Sequence, residues 1–201
     1  KGIMLMKKRF RISFNSPVVL SFVAMCFVAT LLNNVTNGLS NQVLFMTYHS
    51  PLTSPMTYVR FFTHIFGHGG WEHFISNMCY ILLLGPMLEE KYGSKVLTGV
   101  IVLTALVTGL VNYVFFWNTG LCGASGVVFA FILLSSFTSF KEGEIPLTFI
   151  LVAVFFLGQQ VYEGVAVSDN ISQMAHVVGG MVGAISGYEI NKIPKSKGES
   201  H

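Results

Sequence analysis

The sequence predicts an all-α fold, a polytopic bundle of six transmembrane helices. Three observations predict it. The 201-residue chain is 52% hydrophobic and only 10% charged, with a mean hydropathy of +0.63; a soluble domain carries roughly 25% charged residues. Six apolar stretches approach the length of about 20 residues that a membrane-crossing helix needs. Within them the apolar residues run all round instead of alternating, which favours helices over barrel strands.

The first stretch covers 17–32 and follows Lys7, Lys8, Arg9 and Arg11. No small-x-small cleavage site follows it, so it reads as a retained signal-anchor. The others cover 71–88, 96–117, 125–140, 145–162 and 172–190. This gives a basic N-terminal segment, 1–16, one membrane domain, 17–191, and a polar tail, 192–201. Lys1, Lys7, Lys8, Arg9 and Arg11 precede the first stretch; Lys91 and Lys95 lie between the second and third. Lys141 lies between the fourth and fifth, and Lys192, Lys195 and Lys197 follow the sixth. Only Arg60 falls on the other side, so the positive-inside rule puts both termini in the cytoplasm. The net charge of +3 reflects that topology; no basic stripe interleaved with aromatics points to nucleic acid.

The connections carry the next signals. The long one, 33–70, lies outside and holds Tyr48, Tyr58, Phe61, Phe62 and Phe66. Rings of this kind favour the membrane interface. Short external loops are expected at 118–124 and 163–171. Cys26, Cys79 and Cys122 are scattered, with no disulfide or metal spacing, and read as small buried apolar residues.

Counting from cytoplasmic charges gives depth. Ser125 precedes Lys141, His176 precedes Lys192 and His73 precedes Glu89 by 16 residues each. At 1.5 Å per residue, all three side chains sit roughly 24 Å above the cytoplasmic boundary. For Ser125 to begin a helix at that depth, the chain must dip back into the membrane, and Gly120 and Gly123 permit the turn. Non-helical backbone at depth needs protein or a water-filled cavity around it.

Ser125 sits between glycines in Gly123-Ala124-Ser125-Gly126. A serine at a helix start is also a common N-cap or packing residue. His176 is costly inside an apolar stretch and reads as functional by default. Gly179, Gly183 and Gly187 follow it at four-residue spacing, a face that lets another helix approach closely. If that helix begins at Ser125, the imidazole can take the hydroxyl proton as a serine–histidine dyad. Asp169 is the only aspartate, in an external loop, so a dyad fits better than a triad. His73 and Asn77 share one helix face and can both donate to an oxyanion, or simply bond neighbouring helices. His64, His68 and His73 raise a metal alternative, but no HExxH motif or nearby carboxylate completes a hydrolytic zinc site. No metal or other cofactor is expected.

Taken together, these residues resemble the rhomboid intramembrane serine protease family, in its minimal six-helix bacterial form. The match runs from about Arg60 to Gly187. It rests on His64 to His68, then His73, Asn77 and the run from Gly85 to Glu89, on GxSG around Ser125, and on Ala175-His176 followed by Gly179 and Gly183. GxSG alone is weak; the ordered combination across separate helices is specific. The resemblance implies Ser125 as nucleophile and His176 as base, then acid. It implies His73, Asn77 and the Ser125 backbone amide as oxyanion donors. Arg60, His68 and Glu89 match structural positions, and Gly123, Gly126, Phe129, Gly179 and Gly183 support the site. It also implies transmembrane or membrane-associated protein substrates, cut near the outer face of a bacterial cytoplasmic membrane. Two positions depart from the family pattern. Val59 stands where tryptophan often precedes the loop arginine, and Phe129 where a tyrosine often stacks on the catalytic imidazole. The ring of Phe129 can still stack, so activity is expected to survive. The rival readings are an inactive relative that binds membrane clients and a small transporter. The sequence leaves the natural substrate and the oligomeric state open.

Overall fold

The computed structural model describes residues 14–138, 144–166 and 170–192. The basic residues from Lys1 to Arg11, Lys141, Asp169, Lys195, Lys197 and the side chain of Phe156 lie outside the described residues. The described chain is helical. Its elements are α1 (Pro17–Val35), a π-helical turn (Asn41–Phe45), α2 (Pro55–Thr63), α3 (Trp71–Tyr92), α4 (Ser94–Phe115), α5 (Ser125–Ser135), α6 (Leu147–Ala166) and α7 (Asn170–Lys192). All six apolar stretches are therefore helices. Among the described residues, α1 and α4 are long and apolar enough to cross a membrane by length and composition.

Three expectations need correction. The fourth stretch stops at Ser135, short of residue 140. There Ser135 and Ser136 donate their hydroxyls to the Ile132 carbonyl, and Thr138 donates to Ser135. Such side-chain bonds compete with the helical ladder and end it. The expected loop at 163–171 is helical at both ends, because α6 runs to Ala166 and α7 starts at Asn170. Cys79 is exposed, not buried. It shares the outward face of α3 with Ile75, Leu82 and Leu83, which are exposed as well.

Helix α5 forms the centre. It is apolar all round, which is the pattern of a helix buried on every side. Val127, Ala130, Phe131 and Leu134 are almost fully shielded. Its main partner is α7, and the two backbones touch. A side chain at Gly179 would collide with the Gly126 carbonyl, and one at Gly183 with the Ala130 carbonyl. A side chain at Gly187 would strike the ring of Phe137. The four-residue glycine spacing thus works as the small-residue seam that the sequence predicts.

At the opposite end of the bundle from Ser125, Glu89 joins three helices. Pro17 opens α1 and has no N–H, so the first free donors are Val18 and Val19. They donate to the two carboxylate oxygens of Glu89 at 3.0 and 3.1 Å, and the Ser94 hydroxyl at the start of α4 donates at 2.7 Å. A carboxylate at two helix N-termini also meets the positive ends of their dipoles.

The connection between α1 and α3 is built by capping. The π-turn leaves carbonyls without helical partners. Arg60 Nε donates to Val43 O at 3.0 Å, and the Thr63 hydroxyl donates to Leu44 O. The Arg60 guanidinium also lies 4.4 Å from the centre of the Tyr48 ring. Beyond the turn, Thr47 and Leu121 exchange backbone bonds of 3.0 and 2.8 Å, tying this connection to the loop before α5.

Two substitutions test these joints. Gly179→Val puts a branched side chain into the Gly126 backbone and should destabilise the fold by at least about 1–3 kcal/mol. Equilibrium unfolding in mixed micelles would read it, and an unchanged midpoint would contradict the seam. Glu89→Ala strands three donors and should cost about 2–4 kcal/mol in the same assay, with Glu89→Gln intermediate because its amide accepts through one oxygen only.

Candidate active site

Ser125 is the first residue of α5, with Ala124 at the N-cap position. Ser125 thus stands one position inside the helix and not at the N-cap, so the common structural use of a serine at a helix start does not apply. The turn before it is set by Gly123, whose φ of +134° lies where only glycine is comfortable. The Gly123 N–H donates to the His64 carbonyl at 2.9 Å, which fixes the turn to the end of α2. Gly120 adopts no positive φ; it lies against Met46 instead.

His73, in the first turn of α3, lies against this turn. A Cβ on Gly123 would sit 2.7 Å from His73 Cε1 and 3.0 Å from Nε2. The glycine is therefore required twice, for its backbone angle and for the room it leaves the imidazole. Asn77 follows one turn later on α3. It is 6% exposed, and its Nδ2 has no hydrogen-bond partner within the protein. Buried donors are normally satisfied, so an unpaired amide one helical turn from His73 is a chemical resource.

His176 approaches from α7. The Ala175 carbonyl is 3.5 Å from where a Cβ on Gly126 would stand, and Gly179 abuts the Gly126 carbonyl. These backbone contacts set His176 beside the first turn of α5. Its ring centre is 4.3 Å from that of Phe129, at an interplanar angle of 42°. The phenyl ring thus packs on the imidazole without the hydroxyl of the family's usual tyrosine. The α5 N-terminus adds unpaired backbone N–H groups and a positive dipole end, both suited to developing negative charge.

The remaining predicted residues lie around this cluster. His68 is fully buried. Burial, then the neighbouring His73, push its pKa down to about 4, so the ring is neutral. With Nδ1–H donating to Phe66 O at 3.1 Å, Nε2 is left as a lone pair. His64 is buried too, and burial lowers its pKa to about 4. Its Nδ1 lies 3.1 Å from Arg60 O and its Nε2 lies 3.2 Å from the Thr108 hydroxyl oxygen, both within hydrogen-bond reach. Both ring nitrogens are engaged, which withdraws His64 from the histidine set considered for a metal. Arg60 and Glu89 act at helix ends away from Ser125.

Sequence reasoning misses three polar residues here. Asn112, 2% exposed inside α4, donates to Thr47 O at 3.1 Å and so braces the strand pairing with Leu121. An asparagine inside an apolar stretch was itself a signal. Asn33 and Asn41 both donate to the His68 carbonyl, at 3.2 and 2.9 Å; their spacing carries no pattern that predicts a shared acceptor.

Comparison with known proteins fits this geometry. Mouse rhomboid-related protein 2 is 30% identical over 162 residues, 69% of this chain and 53% of its own. Rhomboid-like protein 11, chloroplastic, of Arabidopsis thaliana is 24% identical over 151 residues, 68% of this chain and 54% of its own. Rhomboid protease GlpG of Haemophilus influenzae is 24% identical over 189 residues, 89% of this chain and 93% of its own. The chain spans about half the length of the first two relatives. The signature of the rhomboid domain matches residues 55–192, from the start of α2 to the end of α7, and the chain therefore belongs to the rhomboid family of integral membrane proteins.

Proposed function

We propose that this protein is an intramembrane serine endopeptidase. The observation that carries the reading is the meeting of three helices at one turn: Ser125 opens α5, His176 lies beside it on α7, and His73 rests on Gly123 from α3. The likeness to a rhomboid protease supports the reaction class. Six membrane spans with both termini in the cytoplasm, in a bacterial cytoplasmic membrane, accommodate five helices of 19 to 23 residues, the 11-residue α5 enclosed among them, and the distribution of Lys and Arg.

In this reading His176 takes the proton from the Ser125 hydroxyl as the oxygen attacks a peptide carbonyl. The oxyanion receives hydrogen bonds from Asn77 Nδ2, His73 and the Ser125 N–H. His176 then protonates the leaving amine, and an acyl-ester remains on Ser125. Water, deprotonated by His176, releases the new carboxylate and restores the enzyme. The substrates are transmembrane proteins, cut near the outer face. None of these steps calls for a metal ion or a cofactor.

Two measurements test it. Ser125→Ala and His176→Ala should each abolish cleavage of a fluorogenic transmembrane peptide, and both should abolish labelling by a fluorophosphonate. Wild-type labelling without cleavage of any membrane peptide would favour a client-binding relative; labelling of His176→Ala at the wild-type rate would sink the dyad. Asn77→Ala should lower kcat by on the order of 10- to 10²-fold with little change in KM, less than the loss of a sole oxyanion donor because His73 and a backbone amide remain. A rise in KM at constant kcat would make Asn77 a packing residue.

A further inference from the structure

We infer that Asn33 and Asn41 form a two-pronged clamp on the His68 carbonyl that positions His73 for the reaction. The inference rests on the protease reading above. His68 is followed by Gly69 and Gly70, and α3 begins at Trp71. A Cβ built on either glycine would meet no atom within 4 Å, so nothing packs against this short joint. Two glycines in a row have the largest backbone freedom a chain offers. Left alone, that joint lets the first turn of α3, and with it His73, shift against Gly123. A misplacement of about 1 Å at a reacting centre can cost roughly 10²-fold in rate.

The residue immediately before the joint is held from three sides. Asn33, in the last turn of α1, and Asn41, in the π-turn, donate their Nδ2 groups to His68 O. His68 Nδ1–H donates to Phe66 O, which fixes the plane of the ring. That ring then meets His73 edge-on at 5.1 Å and 68°, and Phe74 at 5.6 Å and 89°. The clamp therefore reaches across the glycines through a ring contact and stops the imidazole of His73 from moving. Both asparagines pay for this geometry: each Oδ1 is buried with no partner in the protein. A carbonyl acceptor requires the amide nitrogens to face it, so the unpaired oxygens follow from the clamp itself. An unsatisfied buried oxygen costs free energy, and two on one device mark a local arrangement kept for more than stability.

Asn33 and Asn41 touch no reacting atom, so they are positioning residues, and the test must separate positioning from folding. Asn33→Ala, Asn41→Ala and the double variant would be made with and without His73→Ala. In the wild-type background the double variant should lower kcat about tenfold, with KM within about twofold. In the His73→Ala background the same pair should change kcat by less than about twofold, because the group it positions is gone. An equal loss in both backgrounds, a loss carried by KM, or an unchanged kcat overturns the clamp. If the double variant fails to fold, Asn33→Ala alone, which removes the longer bond, is read by the same criteria. A second readout does not depend on turnover. The Cε1–H NMR signal of His73 in labelled protein should be single in the wild type and broadened or split in the variants; an unchanged signal overturns the clamp. A wild type that neither cleaves nor reacts with a fluorophosphonate defeats the protease reading instead, and the His73 signal still decides the clamp.

Discussion

The contact between the backbones of α5 and α7 is the constraint from which the site follows. Gly179 faces the Gly126 carbonyl and Gly183 the Ala130 carbonyl with no space for a methyl group on either glycine. A seam this close admits a single register: sliding one helix by a residue would drive a side chain into a carbonyl. Ser125 precedes the first of these contacts by one residue on α5, and His176 precedes it by three on α7. The register that packs the helices is therefore the one that brings Ser125 and His176 to neighbouring positions on the two helices. In lipid, where apolar burial gives helices little reason to associate, close packing of small residues supplies both the attraction and the precision.

The half of the molecule around the start of α5 solves a different problem. Its backbone is irregular, so its polar groups need partners that no helix or sheet provides. Side chains from other elements supply them. Arg60 and Thr63 cap the π-turn, Asn112 holds Thr47, and Asn33 and Asn41 hold His68. The His64 carbonyl takes the Gly123 N–H in the same way. That last bond has a chemical consequence. The Gly123 amide is committed to structure, whereas the first-turn amides of α5 have no acceptor within their own helix.

How much of this was legible in the sequence depends on the kind of signal. The six helices are visible because hydrophobicity sums over long windows, although their ends shift by several residues where Ser135 and Ser136 turn back on Ile132 or where helix extends into the expected loop. The close approach of α5 and α7 is visible because glycine spacing encodes it, and His176 is conspicuous as an imidazole in an apolar stretch. His73 is visible through its spacing to Asn77. The asparagine clamp is not, because it depends on three points of irregular backbone meeting at one oxygen, and no periodicity records that. Cys79 fails for a related reason: composition makes a residue apolar but does not say whether it faces the bundle or its surroundings.

Phe129 shows what the geometry asks of a site residue. The family's usual tyrosine offers a ring and a hydroxyl, and this chain keeps the ring alone. At 4.3 Å and 42° the phenyl group covers one face of His176 and limits its rotation, which is a packing effect worth about 0.5–1.5 kcal/mol. A hydroxyl hydrogen bond would add a similar amount. In the proposed dyad the ring is the part that must be there, because an imidazole that rotates away from Ser125 cannot take its proton. Lost hydroxyl direction is open to compensation by the close α5–α7 seam, which already fixes where the His176 backbone stands. The substitution is thus compatible with a working dyad, and it moves the burden of orientation from a hydrogen bond to the packing of the two helices.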